Sequence, residues 1–233
     1  MTPYFDDGTV TIYHGDCALI APQLGAFDLL CTDPPYGIGE ARGKNKTRNG
    51  KVIERGGMVS TNSKRLAKAT DYGTSSWDDA APSDWVLEMC RSRCRFQIIF
   101  GGNYFSVPPS SCWLVWDKEN GENDFADCEL AWTNFERAVR RKRHRWHGML
   151  REGNEERYHP TQKPLAVMSW AISLCPERPA TILDPFCGSG TTLRAAKDLG
   201  IRAVGIEREE KYCEIAARRM SQAVLFGGAS HAL

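Results

Sequence analysis

The chain has 233 residues, of which 42% are hydrophobic and 25% are charged, with 30 Lys and Arg against 29 Asp and Glu. This balance is typical of a folded domain and excludes wholesale disorder. The sequence contains no apolar run as long as a membrane span and no signal-peptide pattern at its start. Its nine cysteines lack CxxC pairs, which argues against a disulfide framework or a zinc ribbon. We therefore expect a cytoplasmic protein without a membrane partner or a metal site.

Short apolar runs alternate with amphipathic stretches, which is the pattern of an α/β fold. The predicted strands are, in chain order, 10–13, 27–31, 96–100, 112–116, 128–132, 181–183 and 203–206. The predicted helices are 18–24, 82–94, 164–174, 191–199 and 209–222. We expect one catalytic domain over 1–233, with a mobile basic loop at 38–76 and a polar insert at 136–158.

An Asp-Pro-Pro-Tyr turn, Asp33 to Tyr36, follows the second predicted strand, where open parallel sheets bind ligands. Pro34 and Pro35 fix the backbone and remove two N–H donors, so the carbonyl groups remain as rigid acceptors. Asp33 adds a carboxylate acceptor, and Tyr36 adds a ring that can stack. This set suits the exocyclic amino group of a nucleobase, and a rigid turn with a helix-capping aspartate is the alternative.

The segment 181–192 predicts a strand, a glycine-rich turn and the start of a helix. Gly188 and Gly190 allow a ligand to approach the backbone where a Cβ would collide. Glu207 follows Gly188 by 19 positions, close to the spacing of about 20 at which an acidic residue holds ribose hydroxyls. Leu193 replaces the third glycine of the dinucleotide fingerprint, so the pattern favours a nucleoside ligand without pyrophosphate. A plain strand-to-helix turn is the alternative.

These two turns, with the segment His-Pro-Thr-Gln-Lys-Pro at 159–164 between them, resemble the S-adenosylmethionine-dependent DNA amino-methyltransferases. The catalytic turn precedes the cofactor turn, which is similar to the circularly permuted β class of that family, and the resemblance covers 16–222. It implies a Rossmann-like methyltransferase fold with a seven-stranded, mostly parallel sheet, helices on both faces and an antiparallel last strand pair. It also implies an enzyme encoded by a bacterium, an archaeon or a phage.

The resemblance implies transfer of a methyl group from S-adenosylmethionine to N6 of an adenine that is flipped out of duplex DNA. The implied catalytic residues are Asp33, Pro34, Pro35 and Tyr36. The implied cofactor-binding residues are Asp16, Thr161, Gln162, Lys163, Asp184, Phe186, Cys187, Gly188, Gly190, Thr191 and Glu207. Within this set, Glu207 would hold the ribose, Asp16 would contact the adenine moiety, and 161–163 would contact the methionine end. By the same resemblance His159 is structural.

Asp rather than Ser at position 33 favours adenine by resemblance, and the same chemistry on cytosine N4 is the alternative. RNA and protein amide methyltransferases carry similar turns, but they usually place the cofactor turn first. A catalytically inactive nucleic-acid-binding module is a further alternative, against which the intact turns and Glu207 argue.

Two basic runs predict the contacts with duplex DNA. The first follows Tyr36 and contains Arg42, Lys44, Lys46 and Arg48. The second belongs to the candidate target-recognition insert, 136–158, and contains Arg140, Arg141, Lys142, Arg143 and Arg145. A solvated basic face is the alternative, but so dense a run repels itself unless an anion is present. The sequence leaves open a homodimer and a separate restriction nuclease as partners.

Overall fold

The computed structural model describes residues 1–38, 81–119, 126–147, 150–151, 155–159 and 161–222. Within them, strands β1 to β11 are Phe5–Asp6, Val10–His14, Phe27–Thr32, Cys94–Phe100, Trp113–Asp117, Cys128–Thr133, Arg140–Arg143, Trp146–His147, Leu150–Arg151, Thr181–Asp184 and Arg202–Glu207. Helices α1 to α5 are Cys17–Ile20, Asp84–Ser92, Leu165–Ser173, Thr191–Asp198 and Glu210–Ser221. Two 3-10 turns, Ala21–Gln23 and Gly102–Tyr104, complete the described elements.

Nine of these strands form one sheet in the order β1-β2-β11-β10-β3-β4-β6-β5-β7, and β8 pairs with β9 in a small second sheet. All strands of the large sheet except β1 and β6 run in the same direction. The seven predicted strands are all present, and they occupy the centre of the sheet from β2 to β5. The expected antiparallel pairing is made by β6, which runs opposite to both of its neighbours.

The structure differs from the sequence prediction at the helix 18–24 and at four short strands that were not predicted, β1, β7, β8 and β9. The predicted helix 18–24 is α-helical only to Ile20 and continues as a 3-10 turn, because Pro22 has no N–H to donate to an α-helical bond. The polar insert contributes β7, a short and largely exposed edge strand that pairs with β5. A run of Arg and Lys has no apolar alternation, so the sequence pattern gave no sign of a strand there. The predicted basic loop lies almost entirely outside the described residues.

The strands are apolar because helices cover both faces of the sheet. In β3, Leu29 packs in one buried cluster with residues of α3, α4 and α5, whereas Leu30 packs in a second cluster with residues of α1 and α2. Ile182 and Leu183 of β10 divide between the same two clusters. Successive side chains of a strand point to opposite faces, so the sheet is the middle layer of three, as predicted.

Strands β3 and β10 are neighbours in the sheet, and they pair in parallel with Leu29 opposite Ile182 and Leu30 opposite Leu183. The turns that follow them therefore leave the sheet side by side, although 152 residues of chain separate Thr32 from Asp184. The Thr32 hydroxyl donates a hydrogen bond of 2.7 Å to Asp184 Oδ1 and joins the two strand ends. In the described part of the chain, no helix is long and apolar enough to cross a membrane.

Candidate active site

A cavity of about 860 Å³ opens at the carboxyl edge of the sheet. Its wall includes the whole Asp-Pro-Pro-Tyr turn and residues 184–189 of the glycine-rich turn. The two turns that were singled out in the sequence therefore share one space. The volume lies within the range of about 300–1,000 Å³ that is usual for small-molecule sites.

Asp33 is held at both carboxylate oxygens. The Tyr36 hydroxyl donates a hydrogen bond of 2.6 Å to Oδ1, and Lys163 Nζ donates one of 2.6 Å to Oδ2. Burial raises the pKa of Asp33, and the ammonium group of Lys163 opposes that rise. The carboxyl group is thus fixed in orientation by two donors at the floor of the cavity.

Lys163 also lies 3.0 Å from Glu129 Oε2, and Lys118 Nζ lies 2.5 Å from Glu129 Oε1. All three of these residues line the cavity. Lys163 was expected at the methionine end of the cofactor, but its ammonium group lies at the catalytic turn. The sequence analysis missed Glu129 and gave no role to Lys118, although Trp116-Asp117-Lys118 lies where a weaker motif of the family would. The one signal in the sequence is Glu129 itself, which lies in an otherwise apolar predicted strand, 128–132. A carboxylate in such a strand requires a partner of opposite charge if it becomes buried.

Tyr36 is packed against aromatic neighbours. Its ring stacks on Tyr104 with centroids 4.8 Å apart and meets the edge of Phe105 at 6.1 Å. Gly101 lies directly against the ring: a Cβ built on it would lie 2.5 Å from Tyr36 Cζ and 2.8 Å from Cδ1. The absence of a side chain at position 101 therefore makes room for the Tyr36 ring.

The glycine-rich turn uses its two glycines differently. Both have positive φ angles, +51° at Gly188 and +79° at Gly190. A Cβ on Gly188 would meet nothing within 4 Å, whereas a Cβ on Gly190 would lie 2.9 Å from the Cβ of Ala216 on α5. Gly188, which lines the cavity, is thus the glycine that leaves open space beside the backbone, and Gly190 allows the close approach of the last helix.

Glu207 is anchored beside this turn at the end of β11. Its Oε2 accepts from the Gly188 N–H at 2.8 Å, and its Oε1 accepts from the Glu209 N–H at 2.7 Å. Burial raises the pKa of Glu207, and these N–H donors oppose the rise. Each carboxylate oxygen keeps a second lone pair, so the group can still accept hydrogen bonds from two hydroxyl groups.

Asp16 and Asp184 have structural partners as well as places in the cavity wall. Asp16 caps α1 by accepting from the Ala18 N–H at 2.8 Å. Asp184 is only 2% exposed and accepts from Thr32 and from the Phe186 N–H. Burial raises the pKa of Asp184 from 3.8 to about 6.

The segment 155–163 is tied to the glycine-rich turn through Gln162. The Gln162 amide accepts from the Tyr158 N–H at 2.8 Å and from the Ser189 hydroxyl at 3.2 Å. Its NH₂ group donates to the Glu155 carboxylate at 3.0 Å. All the hydrogen-bonding capacity of its oxygen is used in this way, so Gln162 supports the cavity wall rather than reaching freely into it.

Of the remaining predicted cofactor residues, Thr161, Phe186, Cys187 and Thr191 line the cavity, whereas Gly190 is not among its lining residues. Burial raises the pKa of Cys187 well above its ordinary value, so the thiol stays protonated and is a poor nucleophile. Burial lowers the pKa of His159 to about 3, which keeps its ring neutral at physiological pH. The His159 Nδ1 accepts from the Thr161 N–H at 3.3 Å.

Of the two predicted DNA-binding runs, Arg42, Lys44, Lys46 and Arg48 lie outside the described residues. The second run forms β7 and the residues after it. Because β7 is parallel to β5, its end at Arg143 lies at the same edge of the sheet as the cavity. Arg141 and Arg143 lie 3.8 Å and 3.6 Å from Asp117 Oδ2, and both remain exposed. Arg140 and Arg145 are exposed too, and Lys142 is half-buried.

The family model described as DNA methylase, which covers N6 and N4 methyltransferases, matches residues 102–218. The chain belongs to this family. It is 28% identical to the Type II methyltransferase M.ScaI of Streptomyces caespitosus, with 94% of this chain and 83% of the relative covered. It is 23% identical to the Type II methyltransferase M2.LlaDCHI of Lactococcus lactis subsp. cremoris, with 97% and 94% covered.

Two solved structures of DNA methyltransferases share the fold. M1.HpyAVI in complex with S-adenosylmethionine has a TM-score of 0.53 at 23% identity, with 90% of this chain and 99% of that chain covered. The cytosine-N4-specific PvuII DNA methyltransferase has a TM-score of 0.57 at 14% identity, with 94% and 89% covered. The family model confirms the predicted amino-methyltransferase family, and these two structures confirm the Rossmann-like methyltransferase fold.

We predict that Gly101→Ala is more destabilising than Gly8→Ala. Both glycines have positive φ angles, +66° and +83°, so alanine costs about 1–2 kcal/mol of backbone strain at either position. Only at position 101 does the new methyl group collide with Tyr36, which adds about 1–3 kcal/mol. Urea denaturation of both variants measures the difference in the free energy of unfolding. Equal losses would show that the Tyr36 ring can move aside freely.

We predict that Asp184→Asn removes a pH dependence of stability. A carboxyl group whose pKa rises from 3.8 to about 6 on folding contributes its full stability only well below pH 3.8, where it is protonated in both states. This contribution falls by about 3 kcal/mol as the pH rises to 6 and beyond, because the native state must ionise a buried acid. The difference in unfolding free energy between the protein and the variant, followed by urea denaturation from pH 4 to 7.5, should therefore shift by most of that amount, about 2.4 kcal/mol. A difference that does not change with pH contradicts the prediction.

Proposed function

We propose that this DNA methyltransferase transfers a methyl group from S-adenosylmethionine to N6 of an adenine flipped out of duplex DNA. The observation that supports it most is the shared cavity: Asp33, at the end of β3, and the glycine-rich turn, after β10, open into the same space. Methyl transfer requires contact between the acceptor amine and the methyl donor. The turns after two adjacent strands can hold these two groups in contact.

The glycine-rich end of the cavity fits S-adenosylmethionine. Gly188 leaves open space where a Cβ would stand, and Glu207 keeps acceptor capacity for the two hydroxyls of a ribose. M1.HpyAVI, which shares the fold, was solved with S-adenosylmethionine. When bound, this cofactor supplies a methyl group on a sulfonium sulfur that takes up the electron pair of the broken S–C bond.

The catalytic turn would act on the amine by position and charge. The lone pair of the N6 amine is delocalised into the ring, so it is a weak nucleophile until its N–H groups are held out of the ring plane. The Asp33 carboxylate and the Pro34 carbonyl would accept the two N–H bonds. As the new N–C bond forms, positive charge grows on the nitrogen, and Asp33 stabilises that charge before the nitrogen releases one proton.

A base within a duplex cannot reach this cavity, so flipping is required at a cost of a few kcal/mol. Stacking of the extruded base on Tyr36, worth about 1–3 kcal/mol, would offset part of that cost. Asp at position 33 favours adenine by resemblance. Cytosine N4 is the second candidate, supported by the shared fold of the cytosine-N4-specific PvuII enzyme.

The target base is tested by nucleoside mass analysis. Unmethylated duplex DNA incubated with the protein and S-adenosylmethionine should yield N6-methyladenine, with no N4-methylcytosine. Asp33→Ala should abolish methylation while the affinity for S-adenosylmethionine, measured by calorimetry, stays within about threefold, because Asp33 contacts Tyr36 and Lys163 rather than the glycine-rich turn. If the product is N4-methylcytosine, the target is cytosine and not adenine. If Asp33→Ala still methylates DNA, Asp33 does not have the catalytic role proposed here.

We predict that β7 binds DNA phosphates. Its exposed arginines end beside the cavity, so replacing Arg140, Arg141 and Arg143 by Ala should weaken DNA binding. The slope of log K against log salt should decrease by about 0.9 for each phosphate that the variant no longer neutralises. Arg95→Ala is a matched control, because Arg95 is an exposed arginine at the opposite, amino end of β4. Equal salt slopes in the triple variant and the control would exclude β7 from the DNA interface.

A further inference from the structure

Four charged side chains of alternating sign form a chain through the wall of the cavity. Lys118 Nζ contacts Glu129 Oε1 at 2.5 Å, Glu129 Oε2 contacts Lys163 Nζ at 3.0 Å, and Lys163 Nζ contacts Asp33 Oδ2 at 2.6 Å. The four residues come from the end of β5, from β6, from the turn before α3 and from the end of β3. The fold therefore assembles this chain from parts of the sequence that are far apart.

The inner members of this chain depend on each other for their charge. The Lys163 side chain is only 6% exposed, and an ammonium group in such a place requires carboxylate partners. Burial would lower the pKa of Lys163, but Asp33 and Glu129 together raise it. Burial would likewise raise the pKa of Glu129, but Lys163 and Lys118 lower it to about 2. Lys163 and Glu129 are thus both charged at neutral pH.

The charge of Lys163 creates a conflict with the reaction. Lys163 orients Asp33, but its positive charge cancels the negative field that the amine needs while positive charge grows on nitrogen. Glu129 adds a second negative charge to the other side of Lys163. The group of Asp33, Lys163 and Glu129 then carries a net negative charge, and Lys118 contacts the other oxygen of Glu129, one member further along the chain from Asp33, so its charge acts on Asp33 over a longer distance.

We propose that Glu129 is a positioning residue that acts through Lys163, holding this ammonium on Asp33 and compensating its charge so that Asp33 can stabilise the methylated amine. This inference rests on the proposed function. It assigns a role to Glu129, a residue that lies outside both the Asp-Pro-Pro-Tyr turn and the glycine-rich turn.

The test is a double-mutant cycle with Glu129→Gln and Lys163→Met. Single-turnover methylation of DNA is measured at saturating DNA and S-adenosylmethionine, together with the cofactor affinity. Glu129→Gln should slow methyl transfer by about 10-fold to 100-fold, somewhat less than the removal of a donor that touches the reacting group itself, and leave cofactor affinity within about twofold. In the Lys163→Met background the same change should leave the rate unchanged or raise it, because Glu129 then only repels Asp33.

Two further variants separate charge from structure. Glu129→Asp keeps the charge and should be faster than Glu129→Gln. Glu177→Gln makes the same chemical change at an exposed carboxylate that pairs with Arg95, and it should leave the rate unchanged. If Glu129→Gln does not fold, the double variant, which leaves no charge at position 129 or 163, is compared with Lys163→Met in its place.

The outcomes distinguish this inference from the proposed function. If the unmodified protein methylates no DNA base, the proposed function fails. If it methylates DNA and Glu129→Gln is within twofold of its rate, or if the loss is the same with and without Lys163, Glu129 has no role through Lys163. A double variant slower than Lys163→Met would also overturn the inference.

Discussion

The parallel pairing of β3 with β10 is the constraint on which the candidate site depends. Each strand ends in a turn that has its own chemistry, acceptors after β3 and a glycine-rich bend after β10. Neither turn could act alone, because methyl transfer requires the two reactants within bonding distance. The register Leu30 opposite Leu183 and the hydrogen bond between Thr32 and Asp184 bring the turns to one edge at one height. Two buried apolar clusters, one on each face, hold that register.

This arrangement explains why the order of the two turns along the chain matters little to the chemistry. A parallel sheet brings together the carboxyl ends of neighbouring strands, whichever strand comes first in the sequence. Here the acceptor turn precedes the glycine-rich turn by about 150 residues, yet both border the same cavity.

Much of the fold and part of the site could be predicted from the sequence because those features are local. The central strands are mostly apolar, and the two turns combine Pro, Gly and acidic residues within a few positions. The pairing of Glu129 with Lys163 could not be predicted, because it joins β6 to a distant turn and depends on tertiary packing. Strand β7 was missed for a different reason: an exposed edge strand needs no apolar alternation, and charged side chains suit an edge that must not pair with other chains. The contacts of Gln162 could not be predicted because a side-chain amide can bond either to other protein groups or to a bound cofactor. Which of these it does depends on its neighbours in the folded protein.

The contact between Gly190 and Ala216 joins the glycine-rich turn to α5. Ala216 is fully buried on α5, and its methyl group occupies the volume that a side chain at position 190 would need. Two small residues, 26 positions apart in the sequence, are therefore matched in size. Any enlargement at either one would push the glycine-rich bend away from the final helix and tilt its amide groups. The glycine-rich turn is thus shaped by its packing against α5. A larger side chain at position 216 is therefore expected to be tolerated only if this turn can move away from the helix.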